Sequence, residues 1–137
     1  MNLKILEFDI KGDDLGYILP LEAGKNIPFD IKRAYCIYDI ATADIRGKHA
    51  HKKLRQVLTC VRGSCKVAFD DGKEKRIVAL DRPNKGVVIE PMVWHEIYDF
   101  APACLLLALA DACFDETDYI RDYEEFRRLK SASRRRP

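Results

Sequence analysis

An all-β barrel or jelly roll carrying a single C-terminal helix is the fold this sequence predicts, on three observations. From Leu3 to Ala110 apolar and polar residues alternate in short runs, the two-residue period of strands with one buried face. Turn-forming clusters punctuate those runs: Lys11-Gly12-Asp13-Asp14, Arg62-Gly63, Asp71-Gly72 and Pro83-Asn84-Lys85-Gly86. Helical spacing occurs only near the end of the chain. Many short strands with regular turns, then one helix, describe a closed or nearly closed β architecture.

The first strand is placed in Leu3 to Ile10 and ends at the Lys11–Asp14 turn. Gly16 to Leu21 forms a second, and Pro20, which has no N–H for a ladder bond, puts it at an edge. After a loop from Glu22 to Pro28, Ile31 to Asp39 is a strand with Arg33, Tyr35 and Ile37 on one face. The Arg46–Lys53 stretch is read as extended. Arg55 to Val61 and Ser64 to Asp70 follow; Asp71-Gly72 is a hairpin signal because glycine accepts positive φ, and Lys73 to Leu80 is the returning strand. Val87 to Glu90, Trp94 to Phe100 and Ala103 to Ala110 complete the sheets. Asp115-Glu116-Thr117-Asp118 supplies capping side chains and negative charge for a helix start, and Tyr119, Ile120, Tyr123 and Phe126 recur at helical spacing.

The 137 residues fit one domain, assigned to residues 1–130, followed by a basic, disordered tail at 131–137. No apolar run approaches the roughly 20 residues of a membrane helix; the longest, Ala101 to Ala110, contains Pro102. Acidic residues appear within Met1 to Asp9 before any signal-like core develops, so a cytoplasmic location is expected. Five cysteines, odd in number and without Cys-x-x-Cys spacing, read as free thiols in a reducing compartment. Net charge is +2, and Arg134-Arg135-Arg136 accounts for much of the local excess. Elsewhere basic and acidic residues interleave, which excludes a nucleic-acid surface and suits a small anionic ligand.

The chemistry concentrates in Arg46-Gly47-Lys48-His49-Ala50-His51-Lys52-Lys53. In a strand, His49 and His51 point to the same side. The third and last histidine, His95, follows Pro91-Met92-Val93-Trp94. Arg33 and Tyr35 share the histidine face if their strand lies beside this one.

These motifs resemble a cupin. Its first motif is matched by His49-Ala50-His51 and Gly63, with Gln56 where a glutamate is usual; its second by Gly86, Pro91 and His95, with Val93 and Asp99 replacing glycine and asparagine. Metal cupins bind their ion through that glutamate and three histidines, and an amide is a poor ligand in its place, so no metal and no cofactor are expected. A closer resemblance joins Ile27-Pro28-Phe29, Ile31-Lys32-Arg33-x-Tyr35, the Arg46–Leu54 stretch, Pro91-x-Val93-Trp94-His95-Glu96 and Asp115 to Arg121. Together these are similar to the dTDP-sugar 3,4-ketoisomerases, the WxcM-like cupins. The resemblance implies an RmlC-like jelly-roll β-barrel and a metal-free isomerase acting on dTDP-4-keto-6-deoxyglucose. It further implies a product used for surface-glycan sugars, and a homodimer that exchanges N-terminal strands. The family's Asp-x-Arg-Gly is replaced here by Asp13-Asp14-Leu15-Gly16-Tyr17, which brings Tyr17 near the pocket by inference and leaves the configuration at C4 open.

Moving a ketone to the neighbouring carbon requires a base for the C3 proton and a donor for C4, with an enediolate between. Imidazole suits both tasks near neutral pH. His51 is assigned as carbon base and His49 as the shuttle at oxygen. Arg46, the Tyr35 hydroxyl or His95 are expected to stabilise the enediolate. Arg33, Arg46 and Lys53 are expected at the diphosphate, Gln56 and Glu90 at the sugar, and Trp94 in the pocket wall. Two other readings stand beside this one: a metal-dependent cupin using His49, His51 and His95, and a non-catalytic nucleotide-sugar-binding module.

Overall fold

The computed structural model describes residues 1–135. Its strands are β1 (Ile5–Glu7), β2 (Lys11–Asp13), β3 (Gly16–Ile18), β4 (Arg33–Ile37), β5 (Arg46–His51) and β6 (Gln56–Arg62). There follow β7 (Cys65–Asp70), β8 (Lys75–Leu80), β9 (Lys85–Ile89), β10 (Trp94–Tyr98), β11 (Leu105–Ala110) and β12 (Tyr119–Ile120), then helix α1 (Tyr123–Arg135). One sheet has the order β1-β9-β6-β11-β4, the other β12-β5-β10-β7-β8, and β2-β3 is a separate hairpin. All these pairings are antiparallel. The all-β jelly-roll expectation with one terminal helix holds, as two facing sheets rather than a continuous hydrogen-bonded barrel.

Alternation explains the core. In β7, Cys65, Val67 and Phe69 are buried while Lys66 is exposed, and Leu58 and Leu106 of the facing sheet join them. Each such apolar side chain contributes about 1.5–3 kcal/mol when fully buried. Strands β6 and β9 are buried on both faces, because the N-terminal segment covers the outer one: Phe8 and Ile27 pack with Val57, Val88 and Leu109. Gly86 permits this, since a Cβ there would stand 2.9 Å from the Phe8 ring. On the other sheet, α1 lays Phe126, with Tyr123 and Leu129 beside it, on Ala50, Trp94 and Ile120.

Four local readings differ from expectation. Lys11–Asp13 is a strand, paired with β3, instead of a turn. The β7–β8 loop runs from Asp71 to Glu74, longer than a two-residue hairpin, because the Asp70 carboxylate and the Asp71 carboxylate each bind loop amides. The helix begins at Tyr123; Glu116–Asp118 is a 3-10 turn and Tyr119–Ile120 joins β5 as an edge strand. Strand pairing there satisfies backbone groups that a helix would otherwise satisfy internally. Finally, α1 continues through residues 131–135, so the basic stretch is helical as far as it is described; Arg136 and Pro137 lie outside the described residues.

Candidate active site

Strand β5 makes the site by bending. Gly47 (φ 84°) and Lys48 (φ 56°) both adopt left-handed backbone, opposite a register shift between His95 and Glu96 in β10. A Cβ on Gly47 would lie 3.0 Å from the His95 carbonyl and 3.3 Å from its ring, so glycine admits the close approach. Beyond the bulge the strand is regular, and His49 and His51 face inward together. His95 is the cross-strand partner of His49. The ring centroids are 4.9 Å apart for His49–His51, 4.7 Å for His49–His95 and 6.1 Å for His51–His95. The three histidines meet as the sequence predicts.

Burial controls their charge. Desolvation disfavours the imidazolium, so all three sit below the ordinary histidine value of about 6.5. His51 falls to about 4, first through burial and then through His49, with Asp118 opposing. His95 falls well below its ordinary value through burial and both neighbouring rings. His49 falls less, because its Nδ1 lies 2.9 Å from the Gly47 carbonyl and bonds to it, which favours the charged form. At neutral pH the cluster holds neutral bases.

The facing sheet contributes Gln56 and Tyr35. Strand β4 is not beside β5; it is the far edge of the other sheet, and Tyr35 reaches the histidines across the sandwich. Its hydroxyl donates to Gln56 Oε1, and Gln56 Nε2 lies 3.3 Å from His51 Nε2. Burial pushes the Tyr35 phenol up to about 12, with Arg33 pulling the other way, so it remains a donor at neutral pH. Arg33 stacks over the Tyr35 ring at 4.4 Å. An open cavity of about 260 Å³ reaches this cluster, lined among others by Arg33, His51, Lys53, Asp111, Asp118 and Tyr119.

A third layer comes from the 3-10 turn. Asp115 caps it by accepting from the Thr117 amide at 3.0 Å. The turn is tied to the end of β5: the Lys52 amide donates to the Asp118 carbonyl at 2.9 Å, and the Lys53 and Leu54 amides donate to the Asp118 carboxylate at 2.9 and 3.2 Å. That carboxylate stands 3.6 Å from His51 Nδ1. Tyr119, paired with His51 across the strands, puts its ring 4.4 Å from His51 and 4.9 Å from His49.

Other expected residues lie elsewhere. Arg46 is exposed, lies opposite Ile97 beyond the bulge, does not line the cavity, and approaches Asp44 at 3.6 Å. Glu90 pairs with Arg55 at 3.0 Å outside the cavity. Trp94 is packed under α1 against Tyr123 and Phe126, its Nε1 donating to Glu96. Tyr17 is exposed on the β2–β3 hairpin, remote from the cluster within one chain. Sequence reasoning misses Asp118 and Tyr119 beside the histidines, because it assigns Asp118 to a helix cap and Tyr119 to the helical stripe; the pair Tyr119-Ile120, both good strand formers, is the signal that was available.

The histidine nitrogens lie within 4.8 Å of one another, close enough to share an ion. The fourth cupin ligand is absent, however: the place of the glutamate is taken by an amide already engaged by Tyr35 and His51. This donor set does not fit the usual cupin metal centre.

The family model described as FdtA: WxcM-like, C-terminal matches residues 1–131. A TDP-4-oxo-6-deoxy-α-D-glucose-3,4-oxoisomerase of Aneurinibacillus thermoaerophilus is 46% identical over 128 residues, covering 93% of this chain and 92% of that protein. The 3,4-ketoisomerase QdtA of Thermoanaerobacterium thermosaccharolyticum, solved as a histidine-to-asparagine mutant with TDP-4-keto-6-deoxyglucose, superposes with a TM-score of 0.92 at 40% identity, over 96% of this chain and 95% of its own. The RmlC epimerase of Mycobacterium tuberculosis shares the fold alone: TM-score 0.71, 18% identity, 85% of this chain and 66% of that one.

Proposed function

The chain belongs to the FdtA, WxcM-like family and is an isomerase of the sugar 3,4-ketoisomerase type, and from that premise we propose that it moves the carbonyl of dTDP-4-keto-6-deoxyglucose from C4 to C3 without a metal. One observation carries the reading: buried His51 and His95 and half-buried His49, all neutral, cluster beside a phenol that keeps its proton. His51 removes the C3 proton; the electron pair of that bond forms the C3–C4 double bond and the C4 carbonyl oxygen takes up the charge. His49, turned by the Gly47 carbonyl, passes protons between the two oxygens. Once the C3 oxygen has given up its proton, the C3 carbonyl forms and the electron pair of the C3–C4 double bond takes a proton at C4 from protonated His51. Tyr35 and His95 stabilise the enediolate. Arg33 and Lys53, at the cavity mouth, take the diphosphate.

Dimerisation is part of the same reading. The β2–β3 hairpin exposes Leu15 (97%), Tyr17 (69%) and Ile18 (65%), beside an apolar groove formed by Ile10, Leu19, Leu21, Val61 and Leu107. Exchange of the N-terminal strands between two chains covers this surface and carries Tyr17 to the partner's cavity. No helix among the described residues is long and apolar enough to cross a membrane, and a cytoplasmic role in supplying sugars for surface glycans completes the proposal.

The test is incubation of the purified protein with dTDP-4-keto-6-deoxyglucose in D₂O, followed by NMR, with metal analysis of the same sample. The expected result is the 3-keto sugar with deuterium introduced at C4 and no stoichiometric transition metal. Binding without exchange would instead support a non-catalytic module, and activity lost on chelation would support the metal-dependent reading.

A further inference from the structure

We infer that Asp118 is a positioning residue for the isomerisation: it holds the proton of His51 on Nδ1, so that Nε2 carries the lone pair that removes the C3 proton. This deepens the reading above and rests on it. His51 is 2% exposed, and its Nδ1 has no hydrogen-bond partner at ordinary distance. A buried N–H without an acceptor is costly, and the carboxylate oxygen 3.6 Å away is the acceptor toward which a small rotation of the ring would carry it.

The other side of the ring demands the same arrangement. The Gln56 Oε1 atom accepts from the Tyr35 hydroxyl, which leaves the amide N–H to face His51 Nε2 at 3.3 Å. An N–H can bond only to an unprotonated nitrogen. Two neighbours, Asp118 on the 3-10 turn and Gln56 on the facing sheet, thus select one tautomer: Nδ1 protonated, Nε2 free. The contact to Gln56 is long enough for substrate to displace it. When the C3–H bond breaks, its proton goes to Nε2 and its electron pair to the developing enediolate. The resulting imidazolium then faces Asp118, whose negative charge offsets the new positive one.

Asp118 is also well placed mechanically. The Lys53 and Leu54 amides fix both of its oxygens, and the Lys52 amide fixes its carbonyl. Because these donors follow His51 directly along the chain, imidazole and carboxylate move as a unit. Lys53, assigned at the diphosphate by its side chain, thereby acts on the base through its backbone as well.

The experiment uses ¹⁵N-histidine-labelled protein and two variants, Asp118→Asn and Thr117→Val. Long-range ¹H–¹⁵N spectra at neutral pH should show His51 as the Nδ1–H tautomer in the unsubstituted protein. In Asp118→Asn that population should fall, and kcat should drop at least ~10-fold with KM nearly unchanged, part of the ~10²–10⁴ that a positioned base supplies. Thr117→Val loosens the same turn by removing the hydroxyl bond to Asp115 but keeps the carboxylate; its His51 spectrum should match the unsubstituted protein. An Nε2–H tautomer in the unsubstituted protein overturns the inference, as does Asp118→Asn with unaltered tautomer, whether or not kcat falls. If Asp118→Asn does not fold, the unsubstituted spectrum still decides. Failure of the unsubstituted enzyme to turn over dTDP-4-keto-6-deoxyglucose is a different outcome: it removes the proposed reaction while the tautomer is still read by NMR.

Discussion

Strand β6 enters the sandwich at Gln56, against His51, and leaves it near Cys60, whose Sγ lies 3.3 Å from that of Cys104. The two ends of one strand therefore carry two buried clusters of titratable groups, three imidazoles at one and the thiols of Cys60, Cys65 and Cys104 at the other. Burial acts on both by disfavouring charge, with opposite consequences for reactivity. A neutral imidazole is a base, whereas a neutral thiol is a poor nucleophile. Cys104 is pushed up to about 12 by burial and by its contact with Cys60, and Cys65 is raised by its hydrogen bond to Cys60 and by burial; Cys60 alone is lowered, by the hydrogen bonds of Cys65 and Cys104, against the effect of its own burial. The histidine end also opens to a cavity lined by Arg33 and Lys53, while the thiol end is enclosed by Leu58, Leu80 and Leu106. Burial serves the proposed chemistry at the histidine end, where the neutral form is the useful form and a cavity gives access; the enclosed thiol end has no such opening among the described residues.

The comparison can be tested from its strongest consequence downwards. His51→Asn removes the proposed carbon base without adding volume; turnover should fall at least ~100-fold with the melting temperature nearly unchanged, as read by a D₂O exchange assay and a thermal melt. Leu106→Ala, in the core toward the thiol end, should do the reverse. It should cost about 2–5 kcal/mol of stability in denaturant titration, and kcat per folded molecule should stay within ~2-fold, since one carbon-packed site is distant from the proton transfers. Equal damage by both variants to activity would erase the distinction between the ends.

Gly47→Ala lies between those extremes. Its left-handed backbone and the close His95 carbonyl make a side chain strained there, at about 1–3 kcal/mol. Relief of that strain should displace His95, so both stability and kcat should fall, in calorimetry and in steady-state kinetics.

Acid provides the gentlest test. The folded-state values of the histidines lie below 6.5, the unfolded value. Between about pH 6.5 and His51's value near 4, the unfolded chain therefore binds more protons than the folded one. Stability should be fully present above pH 6.5 and decline as pH falls through this window. The acid limb of kcat/KM should lie below 6.5 for the same reason. A limb at or above 6.5 in free enzyme would mean that the imidazoles are not desolvated.

Much of this was legible along the chain. The i, i+2 rule put His49 and His51 on one side of β5, and alternation located the strands that build both sheets. Gln56, an amide in the place of a carboxylate, stands out in the sequence as a departure from the metal-cupin motif, and it lies against Tyr35 and His51. Spacing also predicted Tyr123 and Phe126 of the apolar stripe, which α1 packs, with Leu129, on Ala50, Trp94 and Ile120.

Other features escaped local reading. Tyr35 and His51 meet through Gln56 across facing sheets, not between neighbouring strands, and no periodicity encodes which strands face each other. Trp94 follows the residues of a cavity motif yet packs under the helix, and Arg46, exposed, turns to Asp44. Tyr119-Ile120 satisfies helical spacing equally well; it became a strand because β5 offered an edge with which to pair.

The sequence by itself determined the periodicities, several of the turns and the inventory of ionisable groups, because these depend on residues only a few positions apart. Tertiary structure alone decided that Asp118, 67 positions after His51, stands beside its ring, and how deeply the imidazoles are withdrawn from water. Proximity across sheets and desolvation belong to the packed chain as a whole, and no short window of residues contains them.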